Sequence, residues 1–120
     1  MPSRFYTVVI DANDPAALAR FWAAVLDWKI VYEAEDEVVI AKDEDVYPGI
    51  VFGTVPETKT IKNRLHIDLA PDDRDAEVDR ILALGATRAD VGQTGDETWV
   101  VLADPEGNEF CVLRTRDGGM

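Results

Sequence analysis

The feature that most constrains this chain is an order of elements that occurs twice. The run Phe5-Tyr6-Thr7-Val8-Val9-Ile10 is rich in β-formers and predicts a strand over 5–10. Asp14-Pro15 then supplies an N-cap residue and a proline suited to the first helical position. Leu18, Phe21, Trp22, Val25 and Leu26 recur at helical spacing, so a helix should run to Asp27-Trp28 with that face buried. Three strands are expected next, over 29–33, 37–42 and 49–55, with turns at 34–36 and 43–48. The second half repeats the order. A strand is expected over 64–70, and a helix capped by Asp72 or Asp73 carries Val78, Ile81, Leu82 and Leu84 on its apolar face and ends at Gly85. Strands over 87–91, 98–103 and 109–113 complete it, the last two joined by the turn Asp104-Pro105-Glu106-Gly107-Asn108. Thr7 and His66 stand 59 positions apart, as do Asp14 and Asp73, while Leu26 and Leu84 stand 58 apart. The repeat lies in element order and caps rather than in residue identity. Neither half can close a core alone, so two βαβββ modules, about 5–55 and 64–114, are expected to form one α+β domain over 1–120, with 57–63 as the linker.

Composition narrows the function. With 120 residues and 47% hydrophobic content, the chain needs neither disulfide nor metal to fold. Cys111 is its only cysteine, which excludes an intrachain disulfide and suits a reducing compartment. Residues 1–11 lack the basic and long apolar regions of a secretory signal, and no apolar run approaches the roughly 18 residues of a membrane span. A cytoplasmic protein with no membrane partner is expected. The formal charge of −12, with its basic residues scattered, argues against a nucleic-acid partner. There is also no glycine-rich phosphate loop or dinucleotide fingerprint.

Three stretches, taken in order, carry a family resemblance: Val8-Val9-Ile10-Asp11 with Asp14-Pro15 and Phe21-Trp22; Lys62-Asn63-Arg64-Leu65-His66-Ile67-Asp68-Leu69; and Asp104-Pro105-Glu106-Gly107-Asn108-Glu109-Phe110. Together they resemble the glyoxalase/bleomycin-resistance/dioxygenase (vicinal oxygen chelate) superfamily, in its short glyoxalase-like subgroup. The resemblance implies two curved sheets enclosing a cup that holds a small molecule. It also implies either metal-dependent chemistry or sequestration of an antibiotic without chemistry, and it makes a homodimer the expected assembly.

Strand alternation predicts which side chains face such a cup. Leu65, Ile67 and Leu69 should pack on a helix, leaving Arg64, His66 and Asp68 on the other face. By the same rule Thr7, Glu109 and Cys111 lie opposite the helix-packing residues of their strands. Thr7, His66, Glu109 and Cys111 are therefore expected ligand contacts; Trp99, whose strand is apolar on both faces and cannot be assigned by pattern, joins them as an aromatic contact, with Trp28, Tyr32, Tyr47 and Phe52 as further wall candidates.

Members of the resembled family that bind a divalent cation take one ligand, usually His, Glu or Gln, from the first and last strand of each half. Here those positions read Thr7, the stretch 50–54, His66 and Cys111. One of the four keeps the family's ligand type, so no metal cofactor is expected. His66, Cys111 and Glu109 are the residues from which an atypical site would have to be built. The leading expectation is a small-molecule binding protein without the usual metal. The alternative is a glyoxalase-like enzyme, a lyase, isomerase or dioxygenase, with an atypical metal set or with His66 and Glu109 as acid and base. For Cys111 and His66 the plain readings are a small packing residue and a hydrogen-bonded structural histidine.

Overall fold

A computed structural model describes residues 2–89 and 99–114. The chain divides into two compact units, the first ending at Thr58 and the second beginning at Lys59. The first contains β1 (Thr7–Ala12), α1 (Pro15–Leu26), β2 (Lys29–Glu33), β3 (Glu37–Ala41) and β4 (Gly49–Thr54). The second contains β5 (Ile67–Leu69), α2 (Arg74–Leu84), β6 (Thr87–Arg88), β7 (Val100–Ala103) and β8 (Glu109–Val112). The strands form two four-stranded sheets of like topology, ordered β1-β4-β3-β2 and β5-β8-β7-β6. In each, the last strand of the unit returns to lie parallel to the first, while the remaining pairs are antiparallel. The repeated βαβββ order and the α+β class are as the sequence predicts.

Local chemistry explains the helix ends. The Asp14 carboxylate accepts from Ala17 N at 3.1 Å, Pro15 follows at the first helical position, and Asp27 closes α1 in a left-handed conformation with φ 56°. In α2 the cap is Asp73, accepting from Ala76 N at 3.2 Å, and Asp75 and Glu77 place negative charge in the first turn, where the helix dipole favours it. Gly85 ends this helix at φ 124°, a conformation that L side chains rarely adopt.

Each unit buries its own apolar set. In the first, Leu18, Ala19 and Trp22 of α1 pack over a sheet face that buries Val38, Ile40, Ile50 and Phe52, each of these at 6% exposure or less. In the second, Val78 and Ile81 of α2 are buried, as are Leu102, Phe110 and Val112 of the sheet. Full burial of such side chains stabilises by about 1.5–3 kcal/mol each.

The details depart from expectation in three places. Strand β1 covers Thr7–Ala12 rather than 5–10, leaving Phe5 and Tyr6 exposed ahead of it. Strand β5 is three residues long rather than seven, because only Ile67, Asp68 and Leu69 find partners on β8. Leu65 therefore lies outside the strand at 85% exposure, not in a helix-packing row. Leu84, placed on the apolar face of α2 by spacing, is 39% exposed in the last helical residue before Gly85. The expected strands over 87–91 and 98–103 fall partly outside the described residues.

Candidate functional site

The first sheet presents two apolar faces. Along β3 and β4, Val38, Ile40, Ile50 and Phe52 are buried beneath the helix, and the alternate residues Val39, Ala41, Gly49, Val51 and Gly53 point the other way. That second face is the floor of a hollow of about 610 Å³. Val9 of β1 and Val31 of β2 extend it. Val31 is an inserted residue: the β2–β3 register passes from Ile30↔Ile40 to Tyr32↔Val39, so Val31 has no cross-strand partner. Tyr6 and Tyr47 stand at one wall with ring centroids 5.3 Å apart at 59°. Asp36, Glu37, Asp43 and Asp45 also line the hollow, and among the described residues no lysine or arginine does. Asp43 is paired with Lys29 at 3.0 Å.

Thr7 lies in this hollow, as expected for a ligand contact, but its hydroxyl donates to the Gly49 carbonyl at 3.1 Å. Its neighbours on the same face are Val9, Gly49, Val51 and Gly53. Asp11, paired with Gly53 further along β1, is the one carboxylate of β1 and β4, while Thr7 and residues 50–54, at the positions where the family's metal-dependent members carry ligands, supply no His, Glu or Gln and do not fit a divalent ion held there.

The second sheet gathers a different group. Asp68 of β5 and Cys111 of β8 are Cα partners across the parallel pair. His66, two residues before Asp68, places Nδ1 3.1 Å from Asp68 Oδ1. One ligand atom from each of the three lies within 4.8 Å of the others. Cys111 is half-buried. Burial, reinforced by the Asp68 carboxylate that accepts its hydrogen bond, pushes the thiol up to about 11. In the free protein Cys111 is thus a protonated thiol at neutral pH, which removes it as a nucleophile.

Glu109 does not join His66. Its carboxylate accepts from Lys59 Nζ at 2.8 Å and from Asn63 N at 3.2 Å. Burial disfavours its charge, but the Lys59 hydrogen bond, the Asn63 and Glu109 backbone N–H groups and the Lys59 charge outweigh that and hold the carboxyl below its usual value. Asn63 Nδ2 in turn donates to Asn108 Oδ1 at 2.8 Å. The group ties the segment after Thr58 to the turn before β8. That turn is built on Asp104, 3% exposed, whose carboxylate accepts from Glu106 N, Asn108 N and Asn108 Nδ2. Trp99, immediately before β7, is 40% exposed. Of the other aromatic candidates, Tyr47 lines the hollow, Phe52 is buried beneath α1, and Tyr32 is exposed.

A family description, the glyoxalase-like domain, matches residues 7–113. The chain belongs to the glyoxalase-like domain family. Solved structures of similar fold include a glyoxalase/bleomycin resistance protein/dioxygenase family enzyme from Burkholderia phytofirmans, at 22% identity and TM-score 0.70, covering 95% of this chain and 100% of that one. Glyoxalase I of Leishmania major is similar at 15% identity and TM-score 0.67, with 94% and 87% covered. A bleomycin-binding protein from Streptomyces verticillus, solved with copper(II)-bleomycin, is similar at 15% identity and TM-score 0.61, with 97% and 99% covered. At these identities the likeness is one of fold. No curated protein matches the chain in sequence. Membership in the glyoxalase-like family agrees with the resemblance read from the three stretches, and since proteins of this fold include both an enzyme and a bleomycin-binding protein, fold alone does not decide the function.

The residues of the hollow that spacing alone did not single out are Val9, Val31, Val39 and Val51, with the carboxylates at its edge. A signal for part of the floor was present. In Val38-Val39-Ile40-Ala41 and Ile50-Val51-Phe52 both faces of the strand are apolar, which marks a sheet with two faces to cover.

Proposed function

We propose that this chain binds a small organic molecule in the hollow of its first sheet, without the metal set of the family's metal-dependent members. The observation that carries this reading is the lining itself: a valine floor, a tyrosine wall and carboxylates at the edge, with no lysine or arginine among the described residues. A volume of about 610 Å³ is within the range of small-molecule sites, roughly 300–1,000 Å³. The valines and tyrosines favour an apolar or aromatic body. Asp36, Glu37 and Asp45 favour a positively charged edge, and the formal charge of −12 adds attraction for a cation at low salt. The acid–base pair of the alternative reading is not assembled, because Glu109, the carboxylate expected to work with His66, is held by Lys59 and Asn63.

Two aromatic dyes of opposite charge test the reading. Thioflavin T, a planar cation, is expected to bind with a fluorescence change that weakens as salt rises. The anionic 1-anilinonaphthalene-8-sulfonate is expected to bind at least about tenfold more weakly, a difference of about 1.4 kcal/mol. Equal affinity for both, or preference for the anion, would defeat the assignment of a cationic edge. Failure of every aromatic probe to be displaced by Tyr47→Ala or Val51→Asp would defeat the hollow as the site.

A further inference from the structure

The hollow of the first sheet carries its carboxylates at two separate ends, with valines between them. On the assignment of that hollow as the binding site, we propose that its ligand is an elongated dication: an apolar body about as long as β3, with a protonated amine or amidine at each end.

The separation follows from the strand order. Strand β3 runs from Glu37 to Ala41 and pairs antiparallel with β4, so the turn before β3 lies where β4 ends and the connection after β3 lies where β4 begins. At the first of these ends Asp36 and Glu37 line the hollow beside Gly53 and Thr54. Glu37 is the Cα partner of Gly53, and Thr54 N donates to the Asp36 carbonyl at 3.0 Å. At the other end Asp43 and Asp45 line it, in the connection that brings Tyr47 against Tyr6. Gly53 and Gly49 mark the two ends on β4, so at about 3.3 Å per residue the ends stand about 13 Å apart. Midway, Val9, Val51 and Val39 are paired across three strands and form an apolar row.

The acidic groups differ in their commitments. Asp43 is paired with Lys29 at 3.0 Å, whereas Asp36, Glu37 and Asp45 pair with no cation among the described residues. All three are exposed, so they can meet a cation without the full cost of desolvation. One ion pair at such a surface contributes little. Two made by a single molecule reinforce each other, because holding one end keeps the other near its partner. A monocation satisfies one end only, and a short dication cannot reach both.

Three amines test the span by displacing thioflavin T from the full chain at low salt: 1,10-diaminodecane, decylamine and 1,4-diaminobutane. The long diamine is expected to displace the dye at least about fivefold more effectively than either of the others. Decylamine is the more apolar of the two ten-carbon amines, so this advantage cannot come from burial. Asp45→Asn, and separately the double variant Asp36→Asn with Glu37→Gln, should each bring the long diamine to within about twofold of decylamine. Asp72→Asn, which removes an exposed charge from the second unit, should leave the advantage in place. Equal displacement by the long diamine and decylamine, or an advantage that survives neutralisation of either end, overturns the dication while dye binding still supports the hollow. Should thioflavin T itself fail to bind, the hollow reading is struck; the amines are then compared by calorimetry, where the same equality overturns the dication.

Discussion

Gly49 and Gly53 lie four residues apart on β4 and face the same hollow, yet they should respond in opposite ways to the same substitution. A Cβ at Gly53 meets no atom within 4 Å, whereas one at Gly49 comes to 2.9 Å from the backbone oxygen of Ile40. Gly53→Val therefore fills open space. It also replaces a residue that weakens a strand interior with one that favours it, a gain of about 0.5–1 kcal/mol. For a chain of this length that corresponds to a rise in melting temperature of about 2–6 °C. Gly49→Val forces β4 away from β3 and should cost about 1–3 kcal/mol. Circular dichroism melts of the two variants read these effects directly. The same Gly53→Val side chain occupies part of the floor, so thioflavin T affinity should fall at least about tenfold although the protein is more stable. Loss of binding together with gained stability cannot come from unfolding. If Gly53→Val binds the dye as the parent does, the hollow is not the binding site. If Gly49→Val melts no lower than the parent, the close approach to Ile40 is not a real constraint.

Other outcomes follow from the packing and the ion pairs. Phe52→Ala, at a position with no exposure, should cost about 3–5 kcal/mol in chemical denaturation. Glu109→Gln should cost about 1–3 kcal/mol by leaving Lys59 without its charged partner. Because the folded state holds the Glu109 carboxyl below its ordinary value of 4.5, this contribution is complete above that value and lost as pH falls through the folded one. The stability difference between parent and Glu109→Gln should thus be steady near neutral pH and shrink in acid; a difference that grows in acid would refute the assignment. The exposed Ile61 and Leu65 of the second unit lead us to expect a homodimer, and light scattering at micromolar concentration that shows only a 13.3 kDa species would exclude it.

Much of the fold was legible because its signals are local. Asp14-Pro15 and Asp73 mark the helix starts through their own side chains, and Gly85 marks an end through its backbone freedom. Val38-Val39-Ile40-Ala41 likewise declares a strand. What the sequence could not show depends on partners distant in the chain. Leu65 alternates correctly with Ile67 and Leu69, but alternation does not reveal that β8 offers partners only to Ile67, Asp68 and Leu69. The site was legible to the same extent. His66, Asp68 and Cys111 were placed on cup-facing positions by period-two reasoning, but the contact between Asp68 and Cys111 is a matter of register. Glu109 looked like a free carboxylate because Lys59 lies 50 residues away in a stretch read as linker. The valine and glycine floor escaped notice for a different reason: these residues carry no chemical signature, and it is their arrangement on one face of the sheet that makes them a floor.

The parallel return of β4 to β1 also sets the order in which this floor can be assembled. Thr7 and Gly49, joined by a hydrogen bond, are 42 residues apart. The β2–β3 hairpin closes a short loop and can form early. The β1–β4 pair must first bring together the ends of a long one, and the entropy of that closure delays it. Val9 and Val51 become neighbours only in that step. During folding, helix and hairpin can therefore be in place while the hollow does not yet exist. A ligand that binds only the completed floor would oppose the separation of β1 from β4 and so retard the loss of that floor.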